Sequence, residues 1–227
     1  MILRHLASLN SSTSFVLASA SPRRREILKT IGLEHVVVVA SAFEENLDKN
    51  EYNSASEYAK ATAMEKARDV LEGFKRQGRM VDVIVGADTV VEARDGRVME
   101  KPKSASEARE MLRALSNGTS KVHTGVAIIL PKVRRDGLEG GAAGDGSLGL
   151  ERGFSETTTV EFATLREEEI DAYIATGEPF DKAGGYGIQG PAGAFVRGIV
   201  GDYSNVMGFP MHAFARELEP LVPLITK

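Results

Sequence analysis

The sequence predicts an α/β fold built on a mixed sheet, and three observations carry that expectation. The apolar runs FVLA at 15–18, HVVVVA at 35–40 and VDVIVGA at 81–87 are nearly continuous rather than alternating, as in strands covered on both faces. Segments with helical spacing and helix-start signals lie between them. The second half turns to hairpin spacing, with β-rich runs at 121–130 and 154–163.

In chain order, Met1 to Ser14 is serine-rich and lacks acids, and reads as a flexible N-terminal tail before one domain spanning 15–220. The strand Phe15 to Ala18 then breaks at Ser19-Ala20-Ser21. Ser21 suits an N-cap and Pro22 the first helical position, and Ile27, Leu28 and Ile31 form an apolar face behind them. Arg23, Arg24 and Arg25 fall in the first turn of that helix, where each positive charge is disfavoured by roughly 0.3–1 kcal/mol. A bound anion reverses that penalty, because free backbone N–H groups, serine hydroxyls and guanidinium forks together make a phosphate cradle.

The run at 35–40 reads as a strand buried on both faces, ending at Phe43-Glu44-Glu45. Ser54 with Glu57, Ser104 with Glu107 and Thr164 with Glu167 are capping boxes that open three helices, the first of them carrying Lys66. The strand at 81–87 continues through Asp88 to Val91, turns at Asp95-Gly96 and returns through Val98 and Met99 to Lys101-Pro102. Residues 132–153 are basic, then glycine-rich, and read as a flexible insertion joining two antiparallel strands. After the patterned stretch EPFDKAGGYGIQG at 178–190, residues 194–200 form a short strand, and a helix from near Tyr203 or Pro210 closes at Leu218.

Composition narrows the chemistry. The 227 residues include no cysteine, which removes disulfide frameworks, thiolate catalysis and zinc ribbons and suits a reducing, cytoplasmic setting. A net charge of −4 argues against a broad nucleic-acid surface, so basic residues act locally. No apolar run reaches membrane-spanning length. The segments at Gly144 to Gly149 and Gly185 to Gly190 match a dinucleotide fingerprint, but neither is placed to follow a buried strand and open a helix. The histidines show no metal-ligand spacing, and His123, inside a strand, reads as a packed or hydrogen-bonded residue.

Asp88 is the most informative acid. It interrupts two apolar runs, where a charge costs several kcal/mol unless it is paired or metal-bound. Glu44 and Glu45 end a strand in a place where open α/β sheets hold ligands. Lys66, Lys101 and Lys182 are candidate phosphate ligands. The set makes chemical sense together: carboxylates hold a hard divalent cation, cation and basic groups neutralise a polyphosphate, and an activated water attacks phosphorus.

These residues also carry a resemblance. Ser19-Ala20-Ser21-Pro22-Arg23-Arg24, Phe43-Glu44-Glu45, Glu65-Lys66-Ala67, Ala87-Asp88-Thr89, Lys101-Pro102, Thr124-Gly125-Val126 and the run Asp181 to Gly190 stand in the order found in the Maf family of nucleoside triphosphate pyrophosphatases. The resemblance implies a Maf/inosine-triphosphatase-like fold, with an elongated mixed sheet and two lobes around a central cleft, often as a homodimer. It implies metal-dependent hydrolysis, with magnesium or manganese, of a nucleoside triphosphate to the monophosphate and pyrophosphate. Asp88 then corresponds to the proton acceptor and, with Glu45, to the metal ligands. Ser19, Arg24, Lys66 and Lys101 correspond to phosphate ligands, and Arg23, Thr89 and Gln189 to the residues that mark the dTTP/UTP subgroup. Glu44 departs from the family's more usual aspartate, and the 132–153 insertion is longer than the family's turn. A purine-directed ITP/XTP pyrophosphatase and a regulatory nucleotide-binding protein of cell-division control, without turnover, are the alternatives.

Overall fold

A computed structural model of the chain describes residues 2–134 and 148–226. Its strands are β1 (Phe15–Ala18), β2 (Val36–Val38), β3 (Val83–Glu92), β4 (Val98–Met99), β5 (Thr119–Arg134), β6 (Leu148–Phe162) and β7 (Val196–Val200). They make one sheet in the order β2-β1-β3-β5-β6-β7, with β4 added to β3. β1 runs parallel to β2 and β3, and the remaining pairings are antiparallel, so the expected mixed α/β class holds. The helices are α1 (Leu6–Ser12), α2 (Pro22–Ile31), α3 (Ala55–Arg76), α4 (Ala105–Leu115), α5 (Glu167–Ala175), α6 (Tyr203–Val206), α7 (Met211–Leu218) and α8 (Val222–Ile225).

The sheet opens at one point along β3. One side of β3 pairs with β5 without interruption from Ile84 to Glu92. The other side pairs with β1 as far as Gly86 and with β4 only from Val91. Ala87 to Val90 therefore have no strand beside them on that side among the described residues, and the cavity described below forms there.

Separate cores flank the opening. Phe15, Leu17, Val83 and Val85 pack on Ile27, Leu28 and Ile31 of α2 and on Phe214 and Leu218 of α7. On the opposite face Val16, Ala18 and Ile84 meet Ala63, Ala67 and Val70 of α3. Beyond the opening, Val91, Val122, Val160 and Phe162 pack with Leu112 and Leu115 of α4 and Ile170 and Tyr173 of α5. Each large buried aliphatic or aromatic side chain contributes about 1.5–3 kcal/mol, so both ends of the sheet are anchored independently of the site between them.

Two glycines set the height of α3 above the sheet. A Cβ at Gly86 would lie 2.1 Å from the Ala63 carbonyl oxygen, and one at Gly125 would lie 2.3 Å from the Ala59 backbone. Gly125 stands opposite Asp88 in the β3/β5 register, so the same close approach brings α3 down beside that carboxylate. The N-caps of α3 and α4 form as the sequence predicts, with Ser54 accepting from Glu57 N–H and Ser104 from Glu107 N–H, but the reciprocal half of each box is shifted by one residue: Glu57 accepts from Asn53 N–H and Glu107 from Lys103 N–H.

Several expectations are corrected. The first residues are a 3-10 turn at Ile2–His5 followed by α1, with Ile2 and Leu9 buried in the α2/α7 core rather than forming a tail. The Asn10 side chain ties this segment down by donating to Gly32 O and accepting from Glu34 N–H. Ile2, Leu6 and Leu9 do recur at helical spacing, but a single short turn without a capping residue gives a weak signal. The run at 35–40 yields only β2, at the edge of the sheet, with Val37 and Val38 55% and 40% exposed. Edge placement leaves one strand side unpaired, so a continuous valine run does not require burial on both faces. Residues 132–134 and 148–153 extend β5 and β6 instead of forming a loop, because the backbone ladder continues through pairs such as Ala127 with Gly153. The rest of the insertion, 135–147, lies outside the described residues. Helix α5 starts at Glu167 with Arg166 at the N-cap, whose N–H donates to the Glu169 carboxylate; Thr164 lies outside it. Of the two starts the sequence allows for the helix that ends at Leu218, the one at Pro210 holds: α7 begins just after it, α6 is a separate piece parted from α7 by Gly208 at φ 110°, and the short α8 follows Leu218 where the sequence expected the last helix to end.

Gly86→Ala is expected to lower stability by about 1–3 kcal/mol through overpacking of α3 against β3. Thermal unfolding checks this as a fall in midpoint of about 2–4 °C for each kcal/mol.

Candidate active site in the opening of the sheet

The cradle forms where β1 ends and α2 begins. Ser21 takes the N-cap position with Pro22 at the start of the helix, but its side chain makes no capping bond. Ser19 does the local work: its Oγ accepts from Ser21 N–H at 3.2 Å and from Arg24 Nη1 at 3.0 Å. The Arg24 guanidinium also donates to Gly208 O through Nε at 2.8 Å, to Ala87 O through Nη1 at 2.8 Å and to Thr89 Oγ1 through Nη2 at 3.0 Å. Burial pulls the Arg24 guanidinium below its ordinary value, with Asp88 opposing that shift. Arg23 reaches away from this network to Asp181.

Asp88 lies on the α3 face of β3 and is 7% exposed. The Lys66 ammonium donates to its Oδ1 at 2.7 Å and pairs with Glu45 Oε1 at 2.8 Å, so one cation from α3 joins two acids from different elements. Burial nevertheless pushes the Asp88 carboxyl above its usual value, against the attraction of Lys66 and Arg24. The loop that delivers Glu45 is pinned to α3 by Asp69, whose Oδ2 accepts from Ser41 Oγ and from Ala42 N–H.

Thr89 points to the other face of β3, where its hydroxyl meets Thr124 Oγ1 at 3.0 Å beneath Arg24. Lys101 is exposed on the rim after β4. The turn before it is fixed by Glu100, which accepts from the Tyr58 hydroxyl at 2.7 Å and pairs with Lys49 at 3.0 Å. Gln189 is exposed on the loop following α5, and that loop is held where Gly187 N–H donates to the Tyr173 hydroxyl.

The structure brings Ser19, Arg23, Arg24, Glu45, Lys66, Asp88, Thr89, Lys101 and Gln189 to one cavity of about 580 Å³. Lys182 lines it too, but its ammonium is engaged by Asp181 Oδ1 at 2.6 Å and by Glu178 O at 3.2 Å. Glu44 is exposed and is not part of the lining. Asp69 and Glu100 carry no signal in the sequence, since single acids in turns and on helix surfaces have no pattern, and Asp181 is visible there only as the first residue of the 181–190 motif. A second opening of about 610 Å³ beside Tyr52 and Lys121 contains His123, which is hydrogen-bonded to Glu92 and Thr157 in the packed role its strand position predicts.

Among the described residues no three His, Asp or Glu side chains converge as a metal cage. Asp88 and Glu45 nonetheless converge on one positive charge, and two carboxylates are a sufficient protein contribution where phosphate oxygens and water complete a magnesium shell. No helix among the described residues is long and apolar enough to cross a membrane.

A serine and arginine cradle at a strand end faces a lysine-linked pair of carboxylates across an opening in an α/β sheet, where open sheets of this class place their ligands. The chain belongs to the Maf family, matching the model for Maf-like proteins over residues 14–221. It is 42% identical over 205 residues to a dTTP/UTP pyrophosphatase of Bacillus cytotoxicus, covering 90% of this chain and 94% of that one. A Bacillus cereus protein of the same name is 41% identical over 220 residues, 96% of each chain. A human protein named probable bifunctional dTTP/UTP pyrophosphatase/methyltransferase is 42% identical over 207 residues, which are 91% of this chain and 32% of that one. The chain thus spans about a third of the human relative and nearly all of the two bacterial ones.

The raised Asp88 carboxyl has a consequence for stability. A carboxyl whose folded value lies above its unfolded one contributes stability that is full below the unfolded value and is lost as pH rises through the folded one. In metal-free buffer, the unfolding midpoint of the parent relative to that of Asp88→Asn is expected to fall as pH rises from 4 to 8, because only the parent has this buried carboxyl to ionise. Scanning calorimetry in EDTA across that range measures the difference, and a difference that stays constant or moves the other way would contradict the expectation.

Proposed function

We propose that the chain is a nucleoside triphosphate pyrophosphatase acting on dTTP and UTP, and on modified pyrimidine nucleotides of similar shape. Asp88 is the observation that carries the reading: a buried carboxylate with a raised affinity for protons, set among Lys66 and Arg24 where the sheet opens. Family membership and the names of the bacterial relatives support it.

In this reading the triphosphate enters the cradle of Ser19 and Arg24 with Lys66 and Lys101 along its length. Water adds to the α-phosphorus, the bond to the α–β bridging oxygen breaks, and pyrophosphate leaves with that oxygen. The water's proton passes to Asp88, whose burial makes it a better acceptor than an exposed aspartate. Lys66 holds Asp88 in place and, with Arg24, balances the charge that accumulates on the phosphate oxygens. Asp88 and Glu45 are the residues that would hold a magnesium or manganese ion, which when bound supplies further charge neutralisation to the triphosphate. Arg23 and Gln189, which line the same cavity, take the base, the Gln189 amide offering both a donor and an acceptor to a pyrimidine edge. Thr89 acts from beneath by fixing Arg24. A homodimer and a cytoplasmic setting belong to the same proposal and rest on the family resemblance and the absence of cysteine.

Pyrophosphate release from dTTP, UTP, CTP and ITP with magnesium tests the reading. Preference for dTTP and UTP is expected, with loss of at least about 100-fold in kcat for Asp88→Asn and abolition by EDTA. Binding of dTTP without pyrophosphate release would overturn it, and ITP as the best substrate would move it to the purine-directed class.

A further inference from the structure

We propose that Asp181 is the positioning residue for base discrimination in this cavity, acting by holding the Arg23 guanidinium; the inference rests on the pyrophosphatase reading above. Arg23 comes from the first turn of α2, and Asp181 from the loop after α5, on the far side of the opening. Arg23 Nη1 donates to Asp181 Oδ2 at 2.8 Å and Nη2 donates to the Asp181 carbonyl oxygen at 3.1 Å. Two bonds from one planar fork to one residue fix the plane of the guanidinium, which a single contact does not.

Asp181 is itself fixed from behind. Its Oδ1 accepts from the Lys182 ammonium at 2.6 Å, and that ammonium also donates to Glu178 O at 3.2 Å. The Lys182 side chain is 10% exposed and lies against the loop that carries Gln189: a Cβ at Gly187 would fall 2.4 Å from Lys182 Cε. A single carboxylate thus ties the Arg23 fork to the Lys182 stem that packs on the loop carrying Gln189.

The electrostatic consequence separates the base from the phosphates. A guanidinium that shares the Asp181 carboxylate has part of its charge offset and two of its donors committed, so it is a weaker hook for a triphosphate than an unpaired cation. It keeps its remaining N–H donors for a neutral acceptor. The 4-keto oxygen of uracil or thymine is such an acceptor, whereas the 4-amino group of cytosine presents hydrogens to a donor that cannot accept them. A wrong base then leaves donors unpaired in the cavity, the situation in which hydrogen-bonding sites discriminate most strongly. Released from Asp181, Arg23 regains both its rotamer freedom and its full charge, and it no longer tells keto from amino.

The test is kcat/KM for UTP and CTP with magnesium in the parent protein, Asp181→Asn, Asp181→Glu, Arg23→Gln and the Asp181→Asn/Arg23→Gln pair. The Asp181 side chain is 59% exposed, and thermal midpoints verify that each variant is folded. The parent is expected to prefer UTP. Asp181→Asn is expected to lower the UTP/CTP ratio about tenfold or more, Asp181→Glu to restore part of it, and Asp181→Asn to have no further effect on the ratio once Arg23 is Gln. An unchanged ratio, an equal fall for both nucleotides, or a full Asp181→Asn effect without Arg23 overturns the inference, as does a parent that does not discriminate. Those results leave pyrophosphatase activity standing, whereas a folded parent that releases pyrophosphate from no nucleotide removes that reading itself.

Discussion

The Lys66 ammonium, 2.7 Å from Asp88 and 2.8 Å from Glu45, is the contact on which the other parts of the site depend. Without it a carboxylate buried in β3 loses its nearest counter-charge, a change that in buried pairs costs about 3–5 kcal/mol. Its placement has a steric condition at Gly86 and Gly125, where α3 lies too close to β3 and β5 for any side chain. It has a topological condition as well: Asp88 is reachable because β1 ends at Ala18, opposite Gly86, and β4 does not begin pairing until Val91. Glycine placement, strand length and one ion pair are thus parts of a single arrangement, and each is visible only when the other two are known.

Charge is concentrated against the trend of the whole molecule. Six basic and four acidic side chains line the cavity of a chain whose net charge is −4. A cleft of that sign, walled by a low-dielectric core, focuses a favourable potential for a polyanion while the outer surface stays acidic. The acids in the cavity are not wasted in this balance. Asp88 and Glu45 hold Lys66, Asp181 holds Arg23 and Lys182, and Glu100 is tied to Tyr58 and Lys49 on the rim. Cations on flexible stems are converted into fixed ones, so less side-chain entropy is lost when a ligand arrives.

Local signals in the sequence were sufficient where the structure is local. The serine N-caps at Ser54 and Ser104, the Ser-Pro start of α2 and the charged interruption of an apolar strand at Asp88 each rest on residues within one turn or one strand of one another. The order of motifs then named the residues that the fold gathers into the cavity. Information was missing where a partner from elsewhere in the chain decides the outcome. Whether HVVVVA is a central or an edge strand depends on what pairs with it, and the valines are the same in either case. Ile2 and Leu9 become core only because α2 and α7 leave a surface for them. Asp69, Glu100 and Asp181 are ordinary surface acids until a serine, a tyrosine and an arginine more than twenty residues away come to meet them.

Arg24 shows how a costly group is kept in place. Its burial opposes the charge it must carry, yet its donors reach backbone carbonyls at Ala87 in β3 and Gly208 between α6 and α7, and side chains at Ser19 and Thr89. Few alternative positions satisfy all four at once, so the guanidinium is specified as strictly as an apolar core residue. The cores on either side of the opening are complete without it, and they can carry the desolvation of Arg24 and Asp88 that the site requires. Placing the unfavourable charges at a gap between two sound cores, rather than inside either one, lets the site be polar and reactive without unravelling the sheet that holds it.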